Sequence, residues 1–183
     1  ITGWGWFETE WGVLYWEEGF WSLDELKSIK RGAYDLGAKL GGNDEFRKRV
    51  GPVTIMRMWM EGKNGQAAFF IPLRIVYLYD QWARTSDYDR AATVVHELAH
   101  AWDYRRGEWG SELIDQVVGD ETRPTWYSTT KATEHWADTV ECWVYRNKVE
   151  EGYAWGGWHE GYMALAVQGW QGQVQELPVG EEQ

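Results

Sequence analysis

Apolar residues recur at Leu26, Ile29, Ala33, Leu36 and Leu40, the spacing of three and four that lines one face of a helix. Ser22 and Glu25 stand three apart at its start, where each side chain can satisfy a backbone N–H of the other, and glycines close the stretch. A shorter helix is expected over "DEFRKRV". After Gly51-Pro52 the texture changes to β-branched and aromatic runs, "VTIMRMWM", "GKNGQAAFFI" and "LRIVYLY", broken by a Gly/Asn turn and a proline; these predict strands. Pro72 confines its strand end to an edge or a boundary. Helical patterning returns at "SDYDRAATVVHELAHAWDY", with Ser86 or Asp87 as the cap. "SELIDQVV" reads as a short helix, "TRPTWYSTTK" as a loop, and "ATEHWADTVECWVYRN" and "HEGYMALAVQGWQGQV" as further helices. The tail "ELPVGEEQ" is polar and is expected to fray. This order predicts one α+β domain over residues 1–183, mostly helical in its C-terminal half.

Composition narrows the partners. The net charge of −11 opposes nucleic-acid binding, which draws its affinity from basic groups on phosphate. No apolar run approaches the ~18 residues of a membrane span, and a monomer is expected. Cys142 is the one cysteine, set among Trp136, Trp143 and Tyr145, so it reads as a buried thiol and no internal disulfide can form. Compartment stays open, since secreted proteins need not carry disulfides. The chain opens at Ile1 without a signal-peptide pattern, as a trimmed or processed form would. Many of the fifteen tryptophans cluster in the flanking segments 1–21 and 150–183. Docking of those ends on the core is the expectation; a stacking platform for sugars or peptides is the alternative.

The chemistry concentrates in "AATVVHELAHAWDY". Residues four apart on a helix share a face, so His96 and His100 can aim two imidazole nitrogens at one cation. Glu97 sits one residue round from His96, beside such a metal, where a carboxylate can take a proton from an activated water. The bland alternative is a histidine pair without a ligand. Catalytic zinc needs a third protein ligand. The extended pattern H-E-x-x-H-x-x-G-x-x-H is excluded, because Asp103 and Arg106 occupy the places of its glycine and histidine. Downstream, Glu134 and Asp138 are four apart on a predicted helix. One carboxylate can ligate while the other accepts the N–H of a ligating imidazole and fixes its tautomer. His135 lies about 100° round from Glu134 and would leave that pair unexplained, so Glu134 is the expected ligand. His159, among Gly and Trp, reads as structural or surface.

H-E-x-x-H followed at a distance by E-x-x-x-D resembles the gluzincin metallopeptidases. "YSTTKATEHWADT" is similar, more narrowly, to the matching segment of the anthrax lethal factor type of protease domain. The resemblance covers roughly residues 53–147, and the terminal segments have no counterpart in it. It implies a zincin-like fold with a small mixed sheet, an edge strand beside the active-site helix, and one Zn²⁺ per chain on His96, His100 and Glu134. Glu97 would act as general base. Tyr127, seven residues before Glu134, would stabilise the oxyanion, as a preorganised phenol can. Asp138, the acid one turn on, would orient a histidine, with the shorter reach of an aspartate. The substrate would be a polypeptide added as an antiparallel strand, for which Ala67 and Ala68 leave room. Two alternatives accompany this peptidase reading. One is a zinc amidase on cell-wall peptides, with the tryptophan-rich ends stacking on sugars; the other is a binding module with a vestigial site, which the presence of Glu97 disfavours. The tail after Val174 is a candidate pro-region.

Overall fold

A computed structural model describes residues 5–9, 11–16, 21–58, 66–70, 73–107, 109–118 and 123–168. Five strands, β1 (Gly5–Glu8), β2 (Gly12–Trp16), β3 (Val53–Met58), β4 (Ala67–Phe70) and β5 (Ile75–Tyr79), form one mixed sheet in the order β1-β2-β3-β5-β4. β2, β3 and β5 run parallel, while β1 and β4 pair antiparallel at the two ends. Among the described residues β4 is therefore an edge strand. The helices are α1 (Leu23–Leu40), α2 (Asn43–Arg49), α3 (Asp80–Ala83), α4 (Asp87–Arg105), α5 (Trp109–Val118), α6 (Ala132–Val144) and α7 (Gly157–Val167). The fold is thus α+β and dominated by helix, and no described helix is long and apolar enough to cross a membrane.

The predicted start of α1 forms as its spacing implies. Glu25 donates its N–H to Ser22 Oγ at 3.2 Å, and the Ser22 N–H reaches Glu25 Oε2 at 2.6 Å. Gly41 ends the helix with φ 105°, a left-handed conformation that suits glycine. Ser86 caps α4 by accepting the Asp89 N–H at 3.1 Å.

The N-terminal segment differs from expectation. Its backbone joins the sheet as the β1–β2 hairpin rather than only docking aromatic rings. Glycines and aromatics interrupt the run so often that no period of two stands out. Trp11 and Trp21 are buried, and Trp21 meets Trp82 edge-on at 6.4 Å. The last predicted helix ends at Val167; Pro72 and the tail beyond 168 lie outside the described residues.

α4 is the centre of the helical layer, packed against α1, α6 and β4. Ala91, Ala92, Val94, Val95, Leu98, Ala99, Ala101 and Trp102 along it are fully buried, so it has several apolar faces rather than one stripe. Asp103 near its end accepts the N–H groups of Gly110 and Ser111 at 2.7 and 3.2 Å and caps α5. Gly32 lets α1 approach closely: a Cβ there would lie 2.6 Å from the Ala91 carbonyl oxygen.

Gly32→Ala is expected to destabilise the protein by about 1–3 kcal/mol, the usual cost of overpacking. Gly161→Ala, inside α7 with open space around it, should stabilise by about 0.5–1 kcal/mol. Urea unfolding of both variants checks this pair, and equal shifts would remove the close α1–α4 contact from the description.

Candidate metal centre

Two helices build the centre. On α4 the residues Thr93, His96, Glu97, His100 and Tyr104 line a cleft of about 750 Å³. On α6 Glu134, Asp138 and Glu141 face it, at positions i, i+4 and i+7. His96 Nε2 and Glu134 Oε2 are 3.0 Å apart, His100 Nε2 and Glu134 Oε2 3.2 Å, and the two Nε2 atoms 3.2 Å. Three donor atoms from separate helices thus meet at one point, a set able to hold a metal ion.

The orientation of His96 is set from behind. Asp138 Oδ1 lies 2.8 Å from its Nδ1, with Glu141 Oε2 at 3.3 Å; a neutral ring that donates from Nδ1 turns its Nε2 lone pair to the centre. Asp138 is itself held, since the Thr125 hydroxyl donates to its Oδ2. Glu141 also lies 3.9 Å from Lys148 Nζ, which pairs with Asp89 at 3.1 Å. Sequence reasoning missed Glu141, Thr125 and Lys148. Glu141 shares the α6 face of Glu134 and Asp138, so the i+7 spacing was an available signal; nothing local marks the other two.

Electrostatics follow from this crowding. Burial opposes ionisation of Glu134, but hydrogen bonds with His100 and His96 outweigh it and hold the carboxyl well below the usual range. Burial also works against a charged His96, yet its hydrogen bonds to Asp138, Glu134 and Glu141 raise it well above an ordinary imidazole. Burial pushes Glu97 up. Its Oε2 is buried with no hydrogen-bond partner among the described residues, on the cleft wall beside the two histidines.

Tyr127 stands in a 3₁₀ turn, Tyr127–Thr129, with its ring 6.1 Å from that of His96. It is 47% exposed and lines the cleft. Burial of the remainder, followed by the nearby Glu134 carboxylate, raises its hydroxyl, so the phenol keeps its proton at neutral pH. Ala67 and Ala68 lie on the edge strand β4 and form the facing wall. The predicted site residues therefore come together around one cleft.

Two histidines do not join them. His135 is buried with its ring 6.2 Å from His159, and His159 stacks on Trp155 at 4.6 Å. Cys142 is buried, and that burial raises its thiol. The fold is α+β, with a three-donor group that could hold a cation; comparison with protein families, curated proteins and solved structures returns no significant match.

Glu134→Ala should weaken metal retention by more than the ~10–100-fold that loss of an outer partner costs, whereas His135→Gln should retain metal as the wild type does. Metal content after dialysis against a graded chelator decides it, and the opposite ranking would reassign the third ligand. His159 provides a separate test. Burial, with His135 and Arg146 nearby, lowers it to about 3, while the unfolded chain protonates it near ~6.5. Below that pH the unfolded state binds the extra proton, so stability falls on acidification by up to about 1.4 kcal/mol per pH unit from this group. Between about pH 6.5 and about pH 4 the wild type should lose stability relative to His159→Gln; a constant gap in urea unfolding would contradict the burial argument.

Proposed function

We propose that this chain is a zinc-dependent hydrolase of peptide bonds, of the gluzincin type. The observation that carries the reading is the convergence of His96 Nε2, His100 Nε2 and Glu134 Oε2 within 3.0–3.2 Å of one another. Tetrahedral zinc with ligands at 2.0–2.1 Å needs donors ~3.3 Å apart, close to this triangle. Two imidazoles and one carboxylate are a donor set suited to zinc and leave a fourth position for reaction.

A cation held by these three residues supplies Lewis acidity, lowering the pKa of a water and polarising a carbonyl oxygen. The chain's own groups do the rest. Glu97 accepts the proton of the attacking water and passes it to the leaving amine; burial raises its pKa toward the value a base at neutral pH needs. Its partnerless Oε2 supports this role over a closed structural site, because a buried acceptor left unpaired costs about 1–3 kcal/mol. Tyr127, protonated and half exposed at the cleft, donates to the oxyanion as the carbonyl becomes tetrahedral. Asp138 keeps the His96 tautomer. The free edge of β4 offers backbone groups to an extended peptide, and Ala67 and Ala68 leave room for it.

The zinc-loaded protein should cleave a mixed peptide library in a chelator-sensitive way. Glu97→Gln is expected to keep about one zinc per chain and lose ~10²–10⁴ of turnover. Tyr127→Phe should keep zinc and lose ~10²–10³ in kcat. A Glu97→Gln protein that cleaves at the wild-type rate would sink the mechanism.

A further inference from the structure

The two ends of the cleft differ in chemistry, and the fold fixes which end is which. Gln66, just before β4, lies against Thr93 near the start of α4, Oε1 to Oγ1 3.1 Å. Phe69, near the end of β4, packs edge-on against Tyr104 near the end of α4, with centroids 6.3 Å apart. Strand and helix therefore run the same way along the cleft. His96 and His100 stand between these ends, and Tyr104 is one helical turn beyond His100.

At the Phe69–Tyr104 end two partly exposed aromatic rings offer an apolar surface within reach of the centre; the polar residues that line the cleft toward this end are Asp103, already bonded to the Gly110 and Ser111 N–H groups, and Lys131 and Thr133 from the α6 side. At the other end the lining is hydrogen-bonding: the Gln66 amide, the Thr93 hydroxyl and the Lys148 ammonium. Lys148 is held there by Asp89 at 3.1 Å and Glu141 at 3.9 Å, so it is a positioned polar wall rather than a free cation. A peptide adding to the edge of β4 takes the antiparallel direction by preference, since parallel pairing is weaker per residue. Its amino-terminal part then crosses the aromatic end and its carboxyl-terminal part the polar end.

We propose that this cleft selects peptides with a large apolar side chain on the amino side of the cleaved bond and a polar, hydrogen-bonding side chain on the carboxyl side. The inference rests on the peptide-hydrolase reading for the word "cleaved", but the two walls also act on binding alone. Aromatic contact with Phe69 and Tyr104 removes apolar surface from water. An apolar side chain at the other end would take water from the hydrogen-bonding capacity that Gln66, Thr93 and Lys148 have left beyond their contacts with one another, Asp89 and Glu141, and would offer nothing in its place.

Four otherwise identical fluorescent peptides test it, carrying Phe or Ala before the bond and Gln or Leu after it. Binding is measured to zinc-loaded Glu97→Gln protein and cleavage to the wild type. Phe-Gln should bind best, with Phe over Ala and Gln over Leu each by about tenfold. Tyr104→Ala, on the partly exposed rim, should reduce the Phe preference to about twofold and leave the Gln preference intact; Thr93→Val should do the reverse. Circular dichroism and unfolding confirm that each variant is folded, and Tyr104→Phe, which keeps the ring, should retain the Phe preference. Wild-type cleavage without these rankings, or with the apolar preference on the carboxyl side, overturns the subsite assignment and leaves the hydrolase reading standing. The predicted binding order without any wild-type cleavage supports the subsites and overturns the hydrolase reading.

Discussion

The Nε1–H of Trp136 donates to the carbonyl oxygen of Ala99 at 2.8 Å, and the geometry of the centre depends on that bond. It ties α6 to α4 at a point flanked by the residues of both motifs. His100 faces Glu134 and His96 faces Asp138, so as one residue number rises the other falls; the two helices run antiparallel where they meet. A slip of one turn along either axis would move each partner by ~5.4 Å and dissolve every contact in the centre. Trp136 is fastened from behind by Trp102 at 5.0 Å and Tyr162 at 6.0 Å, and the Tyr162 hydroxyl donates to the Gly110 carbonyl at 2.9 Å. Core packing and site registry are the same set of interactions.

That registry concentrates charge that the interior alone would not favour. Glu97, Glu134, Asp138 and Glu141 all border one buried imidazole, and each carboxylate taken out of water carries a desolvation cost. Lys148 compensates Glu141, and Thr125 satisfies one oxygen of Asp138. Glu97 Oε2 has no such compensation. An arrangement that concentrates anions around two imidazoles is unfavourable as packing and favourable as a receptor for a divalent cation, and metal binding contributes directly to folding free energy.

How much of this was legible in the sequence follows from which distances a helix encodes. Spacing of four on a helix fixes a shared face, so His96 with His100 and Glu134 with Asp138 could be paired before any fold was known. The capping box of α1 was legible for the same reason: its contacts lie within one turn. The meeting of the two helices was inferred from a metal's need for a third ligand and from resemblance, because no local spacing states that residue 134 returns to residue 100. Thr125, Lys148 and the Phe69–Tyr104 wall depend on such returns and carry no local mark. The β1–β2 hairpin was lost for a different reason, since its strand period is hidden under tryptophans and glycines that suit several structures equally.

Asp138 shows how a short acidic side chain is seated by the fold. An aspartate is one methylene shorter than a glutamate, and a shorter arm needs the two helices closer together. The bond from Trp136 to the carbonyl oxygen of Ala99 holds α6 against the α4 backbone at this level. The carboxylate reaches His96 Nδ1 at 2.8 Å. The Thr125 hydroxyl then holds its other oxygen, so the short side chain keeps one orientation. Glu141 approaches the same Nδ1 from one turn further on, at 3.3 Å, and meets it less closely than Asp138 does. The short acid and the hydroxyl behind it thus form one solution: without Thr125 the Asp138 carboxylate would lose the contact that keeps it turned toward the histidine it orients.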